Sequence, residues 1–167
     1  MKHIILETDR LMLREMDFSD VEALASMLQD DRSCMPTTVH SMTGKRCFQI
    51  QRYNDYGFGL WGVSLRNSDE MIGQCGITLQ DYKTTQVPEI GYLFAHKHWH
   101  KGYATEAAIA CREYGFNKLR FEVMYSIIRD SNEASKNVAL RNGMIPIDHI
   151  TKHYRGIDMP HIVFCTK

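Results

Sequence analysis

At 167 residues, with 44% hydrophobic and 24% charged side chains, the chain has the length of about one domain and the composition of a folded globular protein, which excludes disorder and fibrous repeats. Lys plus Arg and Asp plus Glu are 20 each, so no net basic field draws in a phosphate backbone, and nucleic acid is not the expected partner. The cysteines Cys34, Cys47, Cys75, Cys111 and Cys165 are odd in number and form no C-x-x-C pair, so they read as reduced thiols.

The N-terminus reaches charged residues too soon for a signal peptide, and no run approaches the roughly 18 apolar residues of a membrane span. The expectation is a cytoplasmic protein with no membrane partner. No stretch rich in Pro, Gly or Ser and no internal repeat divides the chain, so residues 1–167 are expected to form a single domain.

In chain order, Arg10 to Arg14 reads as a first strand. Val21, Leu24, Ala25 and Leu28 fall at i, i+3, i+4 and i+7 behind the capping candidates Ser19 and Asp20, which predicts an amphipathic helix. Thr43 to Tyr53 reads as a second helix. Leu60 to Leu65 and Met71 to Leu79 flank the polar turn Asn67-Ser68-Asp69 and predict a hairpin, followed after the polar tip Gln80 to Gln86 by a strand from Val87 to Phe94. Ala104, Ala107, Ala108, Cys111 and Tyr114 trace one narrow helix face through about Lys118, whose small residues imply close packing on a sheet. Val123 to Ile128 is a further strand and Asn132 to Asn142 a helix, with Gly143 just past its end. Ile145 to Lys152 and Ile162 to Thr166 form a final antiparallel pair. The order β-α-α-β-β-β-α-β-α-β-β predicts a mixed α+β sheet.

Three stretches carry candidate chemistry. Gly57-Phe-Gly59-Leu-Trp-Gly62 matches G-x-G-x-x-G, with Asp81 further on, but it runs into a strand instead of opening a helix. It therefore reads as a glycine-rich turn. His96, His98 and His100, two apart, would point one way on an extended segment and could hold zinc. No nearby carboxylate orients them and Lys97 and Lys101 add like charge, so they read as loop histidines and no metal is expected. Trp99-His-Lys-Gly-Tyr-Ala-Thr-Glu106 follows a strand and opens the Ala-rich helix. The unpaired N–H groups and positive dipole of such a helix start suit phosphates, and Gly102 and Ala104 keep side chains out of the way. An ordinary helix start fits the same residues.

Trp99-His-Lys-Gly102-Tyr-Ala104 resembles the Q/R-x-x-G-x-G/A acetyl-CoA loop of GCN5-related N-acetyltransferases, and Gly102-Tyr-Ala-Thr-Glu-Ala107 is similar to the RimJ/RimL-type branch of that superfamily. Leu6-Glu-Thr-Asp-Arg-Leu-Met-Leu-Arg14, Ile72-Gly-Gln-Cys-Gly76, Glu89-Ile-Gly-Tyr92, Asn132-Glu-Ala-Ser135 and Arg141-Asn-Gly-Met144 agree with it in order along nearly the whole chain. Trp99 stands where the general motif has Gln or Arg, His100 where the branch often has Gly, and Met144 where Phe is frequent.

The resemblance implies a central, twisted, mostly antiparallel sheet of about seven strands flanked by about four helices, with the fourth and fifth strands splayed. It implies acetyl-CoA as acetyl donor, its pantetheine beside Tyr92, Leu93 and Phe94 and its pyrophosphate on N–H groups of His100, Lys101, Gly102, Tyr103, Ala104 and Thr105. It implies direct attack by a primary amine, a protein N-terminus or a small amine, without a protein nucleophile. The chemistry needs a base, an oxyanion donor and a proton for the leaving thiolate. Glu89 is the candidate base through water, or else a solvated strand-end carboxylate. The Leu93 N–H is the candidate oxyanion donor. Ser135, one turn beyond Asn132, is the candidate for the thiolate, with Tyr92, Tyr103 and Tyr154 as alternatives; Asn132 is an N-cap, a cofactor contact or both. The acceptor pocket falls to Cys34 to Gly44, Asp81 to Pro88 and His149 to Pro160, with His40, Tyr82, His153 and Tyr154 and no acidic cluster. The competing reading is a non-catalytic CoA- or metal-binding module. Monomer and homodimer both remain open.

Overall fold

The computed structural model describes residues 3–29, 49–154 and 156–166. Eight strands form one sheet, β1 (Ile4–Glu7), β2 (Leu11–Arg14), β3 (Leu60–Leu65), β4 (Met71–Tyr82), β5 (Thr85–Phe94), β6 (Tyr125–Arg129), β7 (Met144–Tyr154) and β8 (Ile157–Thr166), in the order β1-β2-β3-β4-β5-β6-β8-β7. Every pairing is antiparallel except β5 with β6. The helices are α1 (Val21–Gln29), α2 (described over 49–56), α3 (Tyr103–Asn117) and α4 (Glu133–Arg141). The mixed sheet and its helices are those expected. The strand missed by sequence reasoning is β1, whose four residues are too few to show a period. The part of the second helix before residue 49 lies outside the described residues.

The polar stretch expected as a loop tip shrinks to a two-residue turn. β4 and β5 stay in register down to the Tyr82–Thr85 pair, and Lys83 takes the left-handed backbone at φ 54° that tight hairpins use. The sheet separates two cores. Leu11, Trp61, Ile77, Ile90 and Phe94 face α3 and α4, whose contact residues Ala107, Ala108, Cys111 and Ala139 are at most 1% exposed. Met16, Leu24, Leu28 and Met71 pack on the opposite face, with Leu93 against them. Small residues on α3 bring its axis close to the sheet, as the narrow apolar face predicted. The Cys75 and Cys111 thiols meet there at 3.5 Å, buried on both sides, and burial pushes the Cys111 thiol far above its usual range. Cys34 and Cys47 lie outside the described residues.

At the first sheet edge Arg14 and Asp20, each 5% exposed, form a bidentate pair at 2.6 and 2.8 Å, and Asp20 Oδ2 also accepts from the Asp17 N–H. The glycines of Ile72-Gly-Gln-Cys-Gly76 have a steric cause: a Cβ on Gly76 would sit 2.0 Å from the Gly59 carbonyl, which instead accepts the Ile77 N–H at 3.1 Å. The glycine-rich match around Gly59 is thus the turn from α2 into β3, as read. Gly76→Ala is expected to lower stability by more than about 2 kcal/mol, because backbone on both strands must move; urea denaturation against the parent protein measures it.

Candidate functional site

β5 and β6 share a single ladder pair, Glu89 with Tyr125, and then diverge. Two sheet strands that part leave facing rows of backbone groups without partners, and the wedge they open is the deepest part of a cleft of about 740 Å³. Its walls come from β5, β6, the start of α3, α4, α1 and α2.

The ladder register settles which β5 groups face the wedge. The Ala95 N–H donates to the Ile72 carbonyl at 3.0 Å, and the unbroken β4–β5 register places Leu93 opposite Gln74 with the same orientation. The N–H groups of Tyr92 and Phe94 therefore face the wedge. Two contacts confirm the alternation: Ser126 Oγ donates to the Ile90 carbonyl at 2.9 Å, and Trp99 Nε1 donates to the Phe94 carbonyl at 2.8 Å. The expectation that the Leu93 N–H serves an oxyanion is corrected, since it points into the β4 ladder and its side chain packs toward α1.

Glu89 sits where the strands part. Its Oε1 accepts the Ile127 N–H at 3.0 Å, standing in for the carbonyl that a continuing β5 would have offered. Burial pushes its carboxyl above the usual range, against the opposing influence of the Ile127 N–H and of Lys152 and Arg52. Glu89 is half-buried and tied to the β6 backbone, so it is not a freely solvated strand end. Across the wedge, Asn132 caps α4 by accepting the Ser135 N–H at 3.1 Å, and both residues line the cleft. The Tyr92 hydroxyl donates to the Ser135 carbonyl at 2.8 Å and burial pushes its ionisation up, so its proton is engaged in tying α4 to β5.

The loop from β5 into α3 takes the left-handed backbone twice, at His100 (φ 59°) and at Gly102 (φ 79°), the N-cap residue of α3. No side chain caps that helix start, so the N–H groups of Tyr103, Ala104 and Thr105 have no side-chain acceptor there, and those residues, His100 and Gly102 line the cleft. Lys101 is exposed and does not line it; its carbonyl accepts from Arg10 Nη1 at 3.0 Å.

What holds this loop was missed from sequence. Glu106, in the first turn of α3, accepts from Thr8 Oγ1 and Arg10 Nε at 2.6 Å and from the Arg10 N–H at 3.1 Å, while the Arg10 guanidinium stacks 4.7 Å from the Tyr103 ring centre. Partial burial would raise the Glu106 carboxyl, but the bonds from Thr8 and Arg10 outweigh it and hold the group below its ordinary range. The signal was present as two separate family motifs, Thr8-Asp-Arg10 and Glu106, with no indication that they meet. A shallower groove of about 770 Å³ on the outer flank of α3 is lined by Glu7, Asp9, Glu106, Glu113 and Arg141, with Glu7 paired to Arg66 and Glu106 to Arg10.

The histidines fail as a set for a geometric reason. His96 to His98 form a 3-10 turn, not an extended segment, and no group of three His, Cys, Asp or Glu able to hold a metal occurs among the described residues. His96 stacks on Trp99, and burial together with Lys101 and Lys97 pushes the His98 pKa down. Of the segments expected to build the acceptor pocket, 34–44 lies outside the described residues, His40 with it. Tyr82 donates to Asp148 at 2.8 Å and His153 bonds Asp158 across the β7–β8 hairpin, so both act as ties between strands. Tyr154 ends β7, and its side chain lies outside the described residues. The cleft is lined in addition by Gln49, Arg52, Gln74, Thr78, Gln80, Arg129 and His161.

The sheet is split at its parallel strand pair, with an uncapped helix start beside the split. The chain matches the acetyltransferase (GNAT) domain family over residues 10–145 and belongs to it. It is 38% identical over 165 residues to the uncharacterized protein YkkB of Bacillus subtilis, covering 95% of this chain and 93% of YkkB. It is 30% identical to the uncharacterized N-acetyltransferase YoaA of the same organism, covering 83% of this chain and 81% of YoaA. The crystal structure of the acetyltransferase from Agrobacterium tumefaciens str. C58 superposes with a TM-score of 0.82 at 28% identity, covering 97% of this chain and 93% of that one. The chain is accordingly an acetyltransferase of the GNAT fold.

Because Glu106 ties the first turn of α3 to the β1–β2 connection, Glu106→Gln is expected to weaken acetyl-CoA binding about tenfold while the protein still folds; titration calorimetry alongside a thermal melt separates the two effects. A melt as unchanged as the affinity would show that the tie does not organise the loop.

Proposed function

We propose that the protein transfers an acetyl group from acetyl-CoA directly to a primary amine within a ternary complex. The observation that carries this reading is the wedge: the Tyr92 and Phe94 N–H groups face it from β5, beside an uncapped helix start, with a half-buried carboxylate at its closed end. The pyrophosphate would rest on the N–H groups from His100 to Thr105, and the pantetheine amides on Phe94. The acetyl carbonyl then lies deeper, toward Glu89, which gives the oxyanion to the Tyr92 N–H.

Glu89 accepts a proton from the ammonium, directly or through one water, and the neutral amine attacks the thioester carbon. The tetrahedral intermediate collapses with cleavage of the C–S bond. The Ser135 hydroxyl, on the α4 wall, delivers a proton to the departing thiolate and is reprotonated by the proton that the new amide nitrogen sheds. Burial serves this sequence, since a carboxylate with a raised pKa holds a proton better than a solvated one.

Gly102→Val tests the cofactor end. A valine is strained at φ 79° whatever space surrounds it, so acetyl-CoA affinity is expected to fall by at least about tenfold by calorimetry, and an unchanged Kd would remove the loop from the site. Glu89→Gln tests the base, because the amide oxygen can still accept from Ile127. Its kcat is expected to fall by at least about a hundredfold with little change in acetyl-CoA affinity.

The pH dependence follows from the sign of the shift. Glu89 works only when ionised, so the acid limb of kcat/KM is expected above the ordinary carboxylate value of 4.5 and should be lost in Glu89→Gln. A folded pKa above the unfolded one favours the folded state when Glu89 is protonated. Stability relative to Glu89→Gln is therefore greatest below about pH 4 and declines as pH rises through the folded value, which urea midpoints across pH measure.

A further inference from the structure

The acceptor half of the cleft has a charge pattern that its single carboxylate does not balance. Arg52 on α2 and Arg129 on β6 both line it, and neither has a carboxylate ion-pair partner among the described residues. The Arg129 guanidinium donates to the Met159 sulfur, and among the described residues no carboxylate accepts from it. The register extends this cationic wall: Arg129 is directly opposite His161 on β8, and His161 opposite Ile150 on β7, so Lys152, two residues on, lies on the same face. Lys152 also carries no carboxylate partner among the described residues. His161 donates from Nδ1 to the Met159 carbonyl at 2.7 Å when neutral, which leaves Nε2 as an acceptor toward the cleft.

Arg52 and Lys152 act on the Glu89 carboxylate, and one carboxylate leaves three cations in a half-buried wall under-compensated, which is costly unless a ligand supplies negative charge. A polyamine or other polycation meets the opposite of what it needs here, because beyond one ammonium at Glu89 every further positive charge faces Arg52, Arg129 or Lys152. Resting on the transferase reading above, we propose that the acceptor is a primary amine that bears an anionic group, a carboxylate or phosphate, held by Arg129 and Arg52 while its ammonium is presented to Glu89. The planar guanidinium fork of each arginine pairs with either anion through two parallel hydrogen bonds, and the fixed separation between wall and base orients the nitrogen toward the thioester.

The test uses the purified full chain and measures CoA release with matched acceptors: an amino carboxylate, an aminoalkyl phosphate, the neutral amide of the amino carboxylate, and spermidine. The anionic amines are expected to have kcat/KM at least about tenfold above the neutral amide, with spermidine lowest. In Arg129→Gln with Arg52→Gln, that ratio should collapse toward one through a rise in KM for the anionic amines. Which of the carboxylate and the phosphate is preferred identifies the source of the anion.

Preference for spermidine or for the neutral amide, or a ratio that survives the double substitution, would each overturn the proposal. Failure of the transferase reading itself looks different: acetyl-CoA would then bind the parent protein by calorimetry with no turnover of any amine, or would not bind at all.

Discussion

The pairing of β5 with β6 at one residue pair is the constraint on which the site depends. Strands that run together satisfy each other's N–H and C=O groups, and strands that part inside a protein must find other partners or remain costly. Here most of the exposed groups are answered by side chains. Ser126 takes the Ile90 carbonyl, Trp99 takes the Phe94 carbonyl and Glu89 takes the Ile127 N–H. The Tyr92 and Phe94 N–H groups face the wedge without a strand to accept them, which makes an extended, amide-bearing ligand the natural completion of the sheet. A pantetheine arm has that form. The arrangement also explains the double character of Glu89: the carboxylate that repairs the ladder is, by the same burial, the group with the perturbed proton affinity.

A wedge of this kind would close or fray unless its sides were held apart. On one side Tyr92 bonds the backbone of α4, so that β5 and α4 move as a unit. On the other, α3 is drawn against the sheet by alanines and Cys111, residues too small to hold it off, and its N-terminus is anchored to the β1–β2 connection by Glu106. The left-handed residues His100 and Gly102 then turn the chain so that the helix start opens onto the cleft and not into β5. His100 is an unusual residue for that backbone, and nothing in its contacts explains why it is not glycine.

Most of the fold was legible because its elements carry strong periods. The narrow small-residue face of α3, the α1 pattern at Val21, Leu24 and Leu28, and Asn132 with Gly143 bounding α4 each mark a helix or its end by a local rule, and the structure follows it. What was not legible depends on which way a backbone group points. Alternation along β5 is visible in Glu89-Ile-Gly-Tyr-Leu-Phe94, but the face of the ladder taken by β4 is decided by a turn at Lys83 and Thr84, so the choice between Leu93 and its neighbours could not be made from residue types. The histidine triplet shows the same limit: spacing by two is a shared face on a strand and a scatter on a 3-10 turn. The Glu106 tie joins residues 96 and 98 apart in sequence, and no local pattern reports such a contact.

The same alternation divides the labour of the molecule between the faces of its sheet. Even-numbered β5 residues, Ile90, Tyr92 and Phe94, pack toward α3 and α4, where the helix start and the Asn132–Ser135 cap are found. Odd-numbered residues, Glu89 and Leu93, belong to the side of α1, α2 and β8, where Arg52, Arg129 and His161 stand. Chemistry common to a family can then be held on one face while the other varies with the acceptor, since a substitution on β6 or β8 at an odd position leaves the cofactor wall in place. The family motifs read from the sequence fall largely on the first face, and the cationic wall belongs to the second. Glu89 is the residue where the two meet: its backbone lies in the ladder and its oxygen completes β6.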